Sequence, residues 1–331
     1  MKKLFLFLCC IAGALSTATA QDVKFELSDG YDNPGVKERI EQNLSALLTE
    51  ANRAFAANGQ IDFSKINIAP NAQNSISMLW SNVNFSCTDS EIVEPLLQGV
   101  GNHLQVRNIP LETRPVDTTM QDDTYQEAVV DFDTSGRIES FYFAISNNLY
   151  RQVIRKGGEV TDNRRRQMIL DYVEHFRTAY NEKDLNFLEQ VFSDDAIIIT
   201  GKVTQVKKMD SPITFNKVTY KTQNKDQYIA GLRRIFGLTK YIRVTFSEIK
   251  IMRHPTLNDY YGVRLRQGYY AQYSGSKYED DGYLFLLWDF TDEAQPLIHV
   301  RTWQPYWMDD AKTQRIDEEE IFDIGDINID L

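Results

Sequence analysis

The sequence predicts an α+β protein in which helices precede a long antiparallel meander. Three observations carry this. Apolar residues recur at helical spacing in two long stretches, Val36 to Phe55 and Ile169 to Tyr180. Two β-rich runs, Ala128 to Phe132 and Arg137 to Ile145, flank the turn Asp133-Thr134-Ser135-Gly136. Four long strand-like runs close the chain: Ile242 to Met252, Tyr260 to Tyr273, Gly282 to Phe290 and Leu297 to Trp303. Helices first and a meander after them mean α+β rather than alternating βα units.

Composition agrees with a globular chain. Of 331 residues 42% are apolar and 25% charged, enough to bury a core and too apolar for a disordered chain. The formal net charge of -11 excludes nucleic acid as an expected partner, because such a surface repels phosphates.

The first residues read as an address. Lys2 and Lys3 form a positive n-region, Leu4 to Leu15 a short apolar core, and Ala18 and Ala20 stand at the A-x-A spacing before Gln21. This predicts a signal peptide over residues 1–20 and a periplasmic or extracellular location. A membrane anchor would need a longer apolar run, and no later run reaches spanning length. A lipoprotein signal on Cys9 or Cys10 would need a small residue before the cysteine, where Phe7 and Leu8 stand. Cys87 is then alone in the mature chain, so no internal disulfide is expected. Losing Lys2 and Lys3 leaves 34 basic against 47 acidic residues, a net charge of -13.

Asn33-Pro34 supplies an N-cap and a proline at the first helical position, and Asn58-Gly59 a stop. Residues 60–74 read as irregular, and Ile76 to Phe85 as either helix or strand. Leu104 to Ile109 reads as a strand ended by Pro110, and Asn148 to Lys156 as a short helix. A domain boundary is expected near Gly157 to Thr161, dividing residues 21–157 from 158–308. Thr161 is read as the cap of a long helix to Glu182, Asp184 as the cap of a second to Phe192, and Asn224 as the cap of a third closed by Gly237. Asp194-Asp195 reads as a turn before a strand at Ala196 to Thr200. The remainder, 309–331, is an acidic tail, read as an added edge strand, a docking segment or disorder.

The stretch from Tyr172 to Leu185, with Leu188, Phe192 and Ser193-Asp194-Asp195-Ala196-Ile197-Ile198-Ile199-Thr200-Gly201, resembles the opening of the nuclear transport factor 2-like (SnoaL-like, cystatin-type) superfamily. The third helix, with Tyr228, Leu232 and Phe236, and the four-strand finish fit the same pattern over residues 161–307. The resemblance implies a cone of helices on a curved sheet with a pocket at its wide end. It does not choose a chemistry, because members include isomerases, dehydratases, cyclases and non-catalytic binding modules. Residues 22–157 resemble no family.

Strand alternation groups His299, Arg301 and Trp303 on one face of the last run. That set suits a small carboxylate or aromatic ligand, with Arg301 as clamp and Trp303 as platform. Tyr180 on the long helix joins it. Arg264 and Arg266 share a strand face with Tyr270 and suit a carboxylate or an acidic interface. If the domain is an enzyme, Arg301 and His299 are expected to orient the substrate and Asp289 to act as base, and the three must converge in one cavity. The run Leu284-Phe285-Leu286-Leu287-Trp288 is apolar on both faces, so both must be covered. Helices cover one; the first region, a second subunit or a partner protein is expected on the other. His175 is expected in solvent. No metal motif, P-loop, GxSxG or dinucleotide fingerprint is present, and no cofactor is expected; Gly99-Val100-Gly101 alone is not one. The functional expectation is an exported binding or assembly module of the bacterial envelope, the alternative a small-molecule isomerase or lyase.

Overall fold

The computed structural model describes residues 20–28, 31–98, 103–116, 125–145, 149, 152–154, 160, 162–207 and 214–326. Most of the expected signal peptide, the Gly99-Val100-Gly101 run, most of the 148–156 helix and of the 157–161 boundary, and residues 327–331 lie outside these. The architecture is α+β, with helices against curled, largely antiparallel sheets.

Helix α1 (Pro34–Ala57) begins as read, with Asn33 accepting the Val36 N–H and Pro34 in the first turn. Asn58 ends it in the left-handed region, a conformation asparagine tolerates. Helix α2 (Pro70–Asn82) starts inside the stretch expected to be irregular and runs directly into β2 (Val83–Ser86), so the 76–85 segment is helix and strand in turn. Strands β1 (Lys24–Leu27) and β3 (Glu91–Glu94) pair in parallel. A five-stranded sheet takes the order β2, β5 (Leu104–Pro115), β6 (Tyr125–Phe132), β7 (Ile138–Phe143), with β4 (Leu97–Gln98) also on β5. The Asp133–Gly136 turn joins β6 and β7 as expected. Pro110 does not end β5. Strand β4 pairs Leu104 and Gln105, β2 pairs Glu112 onward, and Pro110 falls between them with β6 as its paired neighbour. A missing N–H is tolerated where a strand has one open side.

The second half is built on helix α3 (Asn163–Glu182). Its cap is Asp162, one residue after the expected Thr161, and accepts from the Arg164 N–H at 2.9 Å. Asp184 caps α4 (Leu185–Val191), and Asn224 caps α5 (Lys225–Leu238) with a reciprocal bond from Gln227. The six-stranded sheet runs β10 (Thr239–Arg253), β11 (Tyr260–Tyr273), β12 (Lys277–Asp289), β13 (Leu297–Pro305), β8 (Phe192–Lys207), β9 (Thr214–Asn224). The meander is antiparallel, while β13 and β8 are parallel. Asp194 and Asp195 are strand residues of β8, not a turn. Strand β9 was not foreseen. It is a sheet edge exposed on most of its length, so it carries no apolar alternation to read.

Helix α3 serves two cores. Phe176 and Tyr180 face the concave side of the six-stranded sheet, with Leu284, Leu286 and Trp288. Its other side meets the five-stranded sheet through buried polar groups. Arg107 on β5 pairs with Glu174 at 2.8 Å and Asp171 at 3.2 Å, all buried. His175 is not in open solvent: its ring centre is 4.0 Å from that of Tyr142, and Nε2 is 3.5 Å from Asp131 on β6. Burial drives the Asp171 carboxyl well above the usual range despite Arg107. In the basic run Arg164-Arg165-Arg166 at the start of α3, Arg166 is buried and donates to the Ile154 carbonyl at 2.8 Å.

The convex side of the sheet is covered, as the two-sided apolar run required. Within the chain, the cover is not the first region. It is the chain's own tail. Phe322 and Ile324 pack on Met252, Phe285, Leu287 and Val300, while Met308, Ile316 and Ile321 pack on Val218. Gly262 makes room for this layer: a Cβ there would lie 2.8 Å from the Phe285 ring and 3.1 Å from Ile324.

Candidate functional site

The best candidate lies inside the cone. Arg301 on β13 is 7% exposed and stands on the concave face, opposite Leu286 on β12. Its guanidinium carbon is 5.0 Å from the Tyr228 ring centre. The Tyr228 hydroxyl, carried by α5, is hydrogen-bonded to that of Tyr180 on α3. Among the described residues no carboxylate lies within ion-pair distance of Arg301, and its Nε is buried with no partner. Burial opposes the charge of Arg301, but the oxygens of Tyr228 and Tyr180 outweigh it and hold the proton more firmly than water does. Tyr180 is itself driven well above the usual phenol range by burial. Trp288, on the same face, also buries an Nε1–H with no partner.

Tyrosines lead outward from this point. Tyr228, Tyr269 and Tyr273 are half-buried members of the concave cluster. Tyr278 is exposed, with its ring centre 6.2 Å from that of Tyr269. Burial pushes the Tyr269 hydroxyl above its ordinary range, with Tyr273 and Tyr228 adding to the effect. Trp303 is buried on the same strand as Arg301, paired with Leu284 on β12. Its ring lies on Gly282, where a Cβ would approach it to 2.6 Å.

The expected set therefore divides. Arg301, Trp303 and Tyr180 share the concave side. His299 does not. The β13 pairing slips between Ile298 and Val300, and the matching slip on β12 falls between Leu287 and Trp288. A bulge inserts one residue, and every side chain beyond it changes face relative to strict alternation. His299 sits at that slip and joins Tyr260, 5.5 Å away between ring centres, on the tail-covered side. Asp289 and His299 do meet, at 3.6 Å, with Asp195 at 3.4 Å from the other ring nitrogen. They meet away from Arg301, so the three do not converge in one cavity. Asp289 also accepts the Thr291 N–H at 2.8 Å; burial raises its pKa, but that bond, Tyr260 and His299 outweigh it and hold the carboxyl below the usual range.

Arg264 and Arg266 also face the tail, not the cone. Arg264 reaches Asp323 at 3.4 Å. Arg266 grips Asp281 at 2.9 and 2.5 Å, reaches Glu248 at 3.3 Å, and lies 3.8 Å over the Tyr306 ring. Their charges hold strands and tail together. His254 orders a turn by accepting the Leu257 N–H at 3.1 Å. Tyr228 was missed as a site residue. Its spacing with Leu232 and Phe236 places it on the inward face of α5, but no local signal says that it meets Arg301. Among the described residues, no three of His, Cys, Asp and Glu are gathered so as to hold a metal ion, and no helix is long and apolar enough to cross a membrane.

Comparison with known proteins adds the following. No family model matches the chain, and no curated protein matches it. Solved structures do. A nuclear transport factor 2-like protein from Cytophaga hutchinsonii is 18% identical, with a TM-score of 0.33 over 42% of this chain and 97% of its own. One from Rhodospirillum rubrum is 18% identical, TM-score 0.33, over 41% and 97%. One with a cystatin-like fold from Novosphingobium aromaticivorans is 11% identical, TM-score 0.31, over 45% and 88%. The matched proteins are of the superfamily that the sequence resembles. At these scores they add no weight to the strand order and helix packing described above.

Proposed function

We propose that this chain is an exported binding module whose cone holds a small ligand through a carboxylate seated on Arg301. One observation carries the reading: a buried guanidinium with phenols instead of acids around it. Taking a cation out of water without a counter-charge costs several kcal/mol, roughly, even after relaxation. Here the phenol oxygens offset that cost without neutralising the charge, so the site keeps a held cation preorganised for an anion. The tyrosines from Tyr278 inward supply flat, apolar walls with polar ends, which suit an aromatic or unsaturated ligand body. Export rests on the N-terminal pattern of Lys2, Lys3 and the A-x-A site.

The test is thermal unfolding and calorimetry of the chain from Gln21 onward with benzoate and cinnamate, against benzamide and cinnamamide as uncharged controls. We expect saturable stabilisation by the acids alone, lost in Arg301→Met and weakened in Tyr228→Phe. Equal responses to acids and amides, or an unchanged response in Arg301→Met, would refute the carboxylate seat. Export is tested separately by N-terminal sequencing of the mature protein.

A further inference from the structure

The two edges of the six-stranded sheet are finished differently. Strand β10 is blunted against further pairing. Its register breaks in two places, and Glu248 stands in the left-handed region with φ 52. Its backbone groups are taken by α3 and the residue that ends it. Asn181 accepts the Val244 N–H at 2.6 Å, and Lys183 donates to the Thr239 carbonyl at 2.6 Å. Strand β9 has none of these devices. It is 11 residues long, contains no proline, and pairs with β8 along its whole length without a register shift. Among the described residues no strand lies on its outer edge. Roughly five of its residues therefore aim N–H and C=O groups away from β8. Bulges, prolines and covering groups are how sheets close an edge, and β9 keeps only charge.

That charge is of one sign. From Ala196 to Val206 and from Thr214 to Asn224 there is no acid, in a chain of net charge -11. Lys202 pairs with Thr219, Lys217 with Thr204 and Lys221 with Thr200, so the three lysines share one face of the β8–β9 ribbon. It is the face turned away from the tail, since Val203 and Val218, at the alternate positions, pack with Met308 and Ile321. All three lysines are exposed, and among the described residues none is in an ion pair. Phe215, on the same face, is 48% exposed.

We propose that the outer edge of β9 receives an extended acidic segment of a partner protein, which adds to the sheet as a further strand. Main-chain bonds supply the affinity of such an addition, and the side chains at alternate positions its specificity. Lys217 and Lys221 stand four positions apart. In antiparallel register the partner therefore presents two acids at that spacing on one face, and an apolar residue two positions further on, opposite Phe215. The same lysines disfavour a second copy. When β9 pairs with itself along its whole length, Lys217 of each chain stands opposite Lys221 of the other, and like charges directly opposite are destabilising.

Fluorescence anisotropy of labelled peptides with the chain from Gln21 onward tests this. The probe TTEVTVETV places its acids opposite Lys221 and Lys217 and its last valine opposite Phe215; TTKVTVKTV is the control. We expect saturable binding of the probe, at least about ten-fold tighter than that of the control and weakening as salt rises from about 50 to about 300 mM. Lys217→Glu together with Lys221→Glu should reverse the preference, with an unchanged Tm because both side chains are exposed. N-methylation of alternate probe amides separates strand addition from charge alone. Methylating the set that faces β9 should abolish binding, and methylating the other set should be tolerated. Arg301→Met should leave binding unchanged, which separates the edge from the cone. No preference for the acidic probe, a preference that survives the double exchange, or equal effects of the two methylation sets would overturn the proposal.

Discussion

The Gln304 side chain holds Phe322 as a neighbouring strand would. Its Oε1 accepts the Phe322 N–H at 2.7 Å, and its Nε2 donates to the Glu320 carbonyl at 2.7 Å. Gln304 is 1% exposed, so each of these bonds is made where water cannot replace it. The Gln304 carboxamide and the Arg264–Asp323 pair tie the acidic tail to the convex face, and Phe322 and Ile324 seal it. Gln304→Ala leaves the Phe322 N–H without its partner and should destabilise the protein by about 1–3 kcal/mol in urea unfolding.

Ending the chain after Asp309 should have a larger effect. It uncovers Phe285, Leu287 and Val300, which are at most 3% exposed when the tail is in place. A bare apolar sheet face seeks another surface. Light scattering after size exclusion should show self-association of the shortened chain and a lower oligomeric state of the full one.

Arg301 should contribute to stability as well as to binding. The Tyr228 and Tyr180 oxygens outweigh the burial that opposes its charge, so an apolar replacement leaves the two hydroxyls without that partner. Arg301→Met should therefore lower unfolding free energy by about 1–3 kcal/mol in urea while abolishing the response to benzoate. A gain of stability would mean that the phenols do not compensate the buried guanidinium.

Glu182 gives a pH signature with a definite sign. Burial drives its carboxyl well above the usual 4.5, Ser75 pulls the other way, and Oε1 has no partner. A folded-state pKa raised above the unfolded value gives stability that is complete below pH 4.5 and is lost as pH rises toward the raised value. Urea unfolding from pH 4 to 8 should show wild type losing stability relative to Glu182→Gln across that window.

Asp289 has the opposite sign. Its carboxyl is held below the usual 3.8, so its contribution is present above that pH and disappears as pH falls through the depressed value. Asp289→Asn should flatten the acid limb of the stability curve. Because Asp289 is on the tail-covered side, benzoate affinity should stay within about two-fold, less than 0.5 kcal/mol.

The local rules were legible where local physics decides. Asn33, Asp184 and Asn224 cap helices because their side chains reach N–H groups two or three residues on, which sequence spacing alone specifies. The double apolar register of Leu284 to Trp288 demanded cover on both faces, and cover is there. The candidate site was half legible. Arg301, Trp303 and Tyr180 share a face, but His299 left it at a bulge, since alternation can be counted in a sequence and an inserted residue in the ladder cannot.

What the sequence determined by itself was the α+β order, the helix ends and the need to hide both faces of one strand, because each follows from contacts or periodicities within a few residues. What only the tertiary structure decided was the identity of every long-range partner. The tail became the lid because it was tethered beside the bare face, so covering it carried no cost of bringing in a second molecule. Arg264 and Arg266 were taken up by Asp323 and Asp281, while Arg301 and Arg177 are buried with no carboxylate among the described residues within ion-pair distance. Which of several arginines finds a carboxylate is settled by the packing of strands and helices far apart in the chain, and no spacing rule reaches that far.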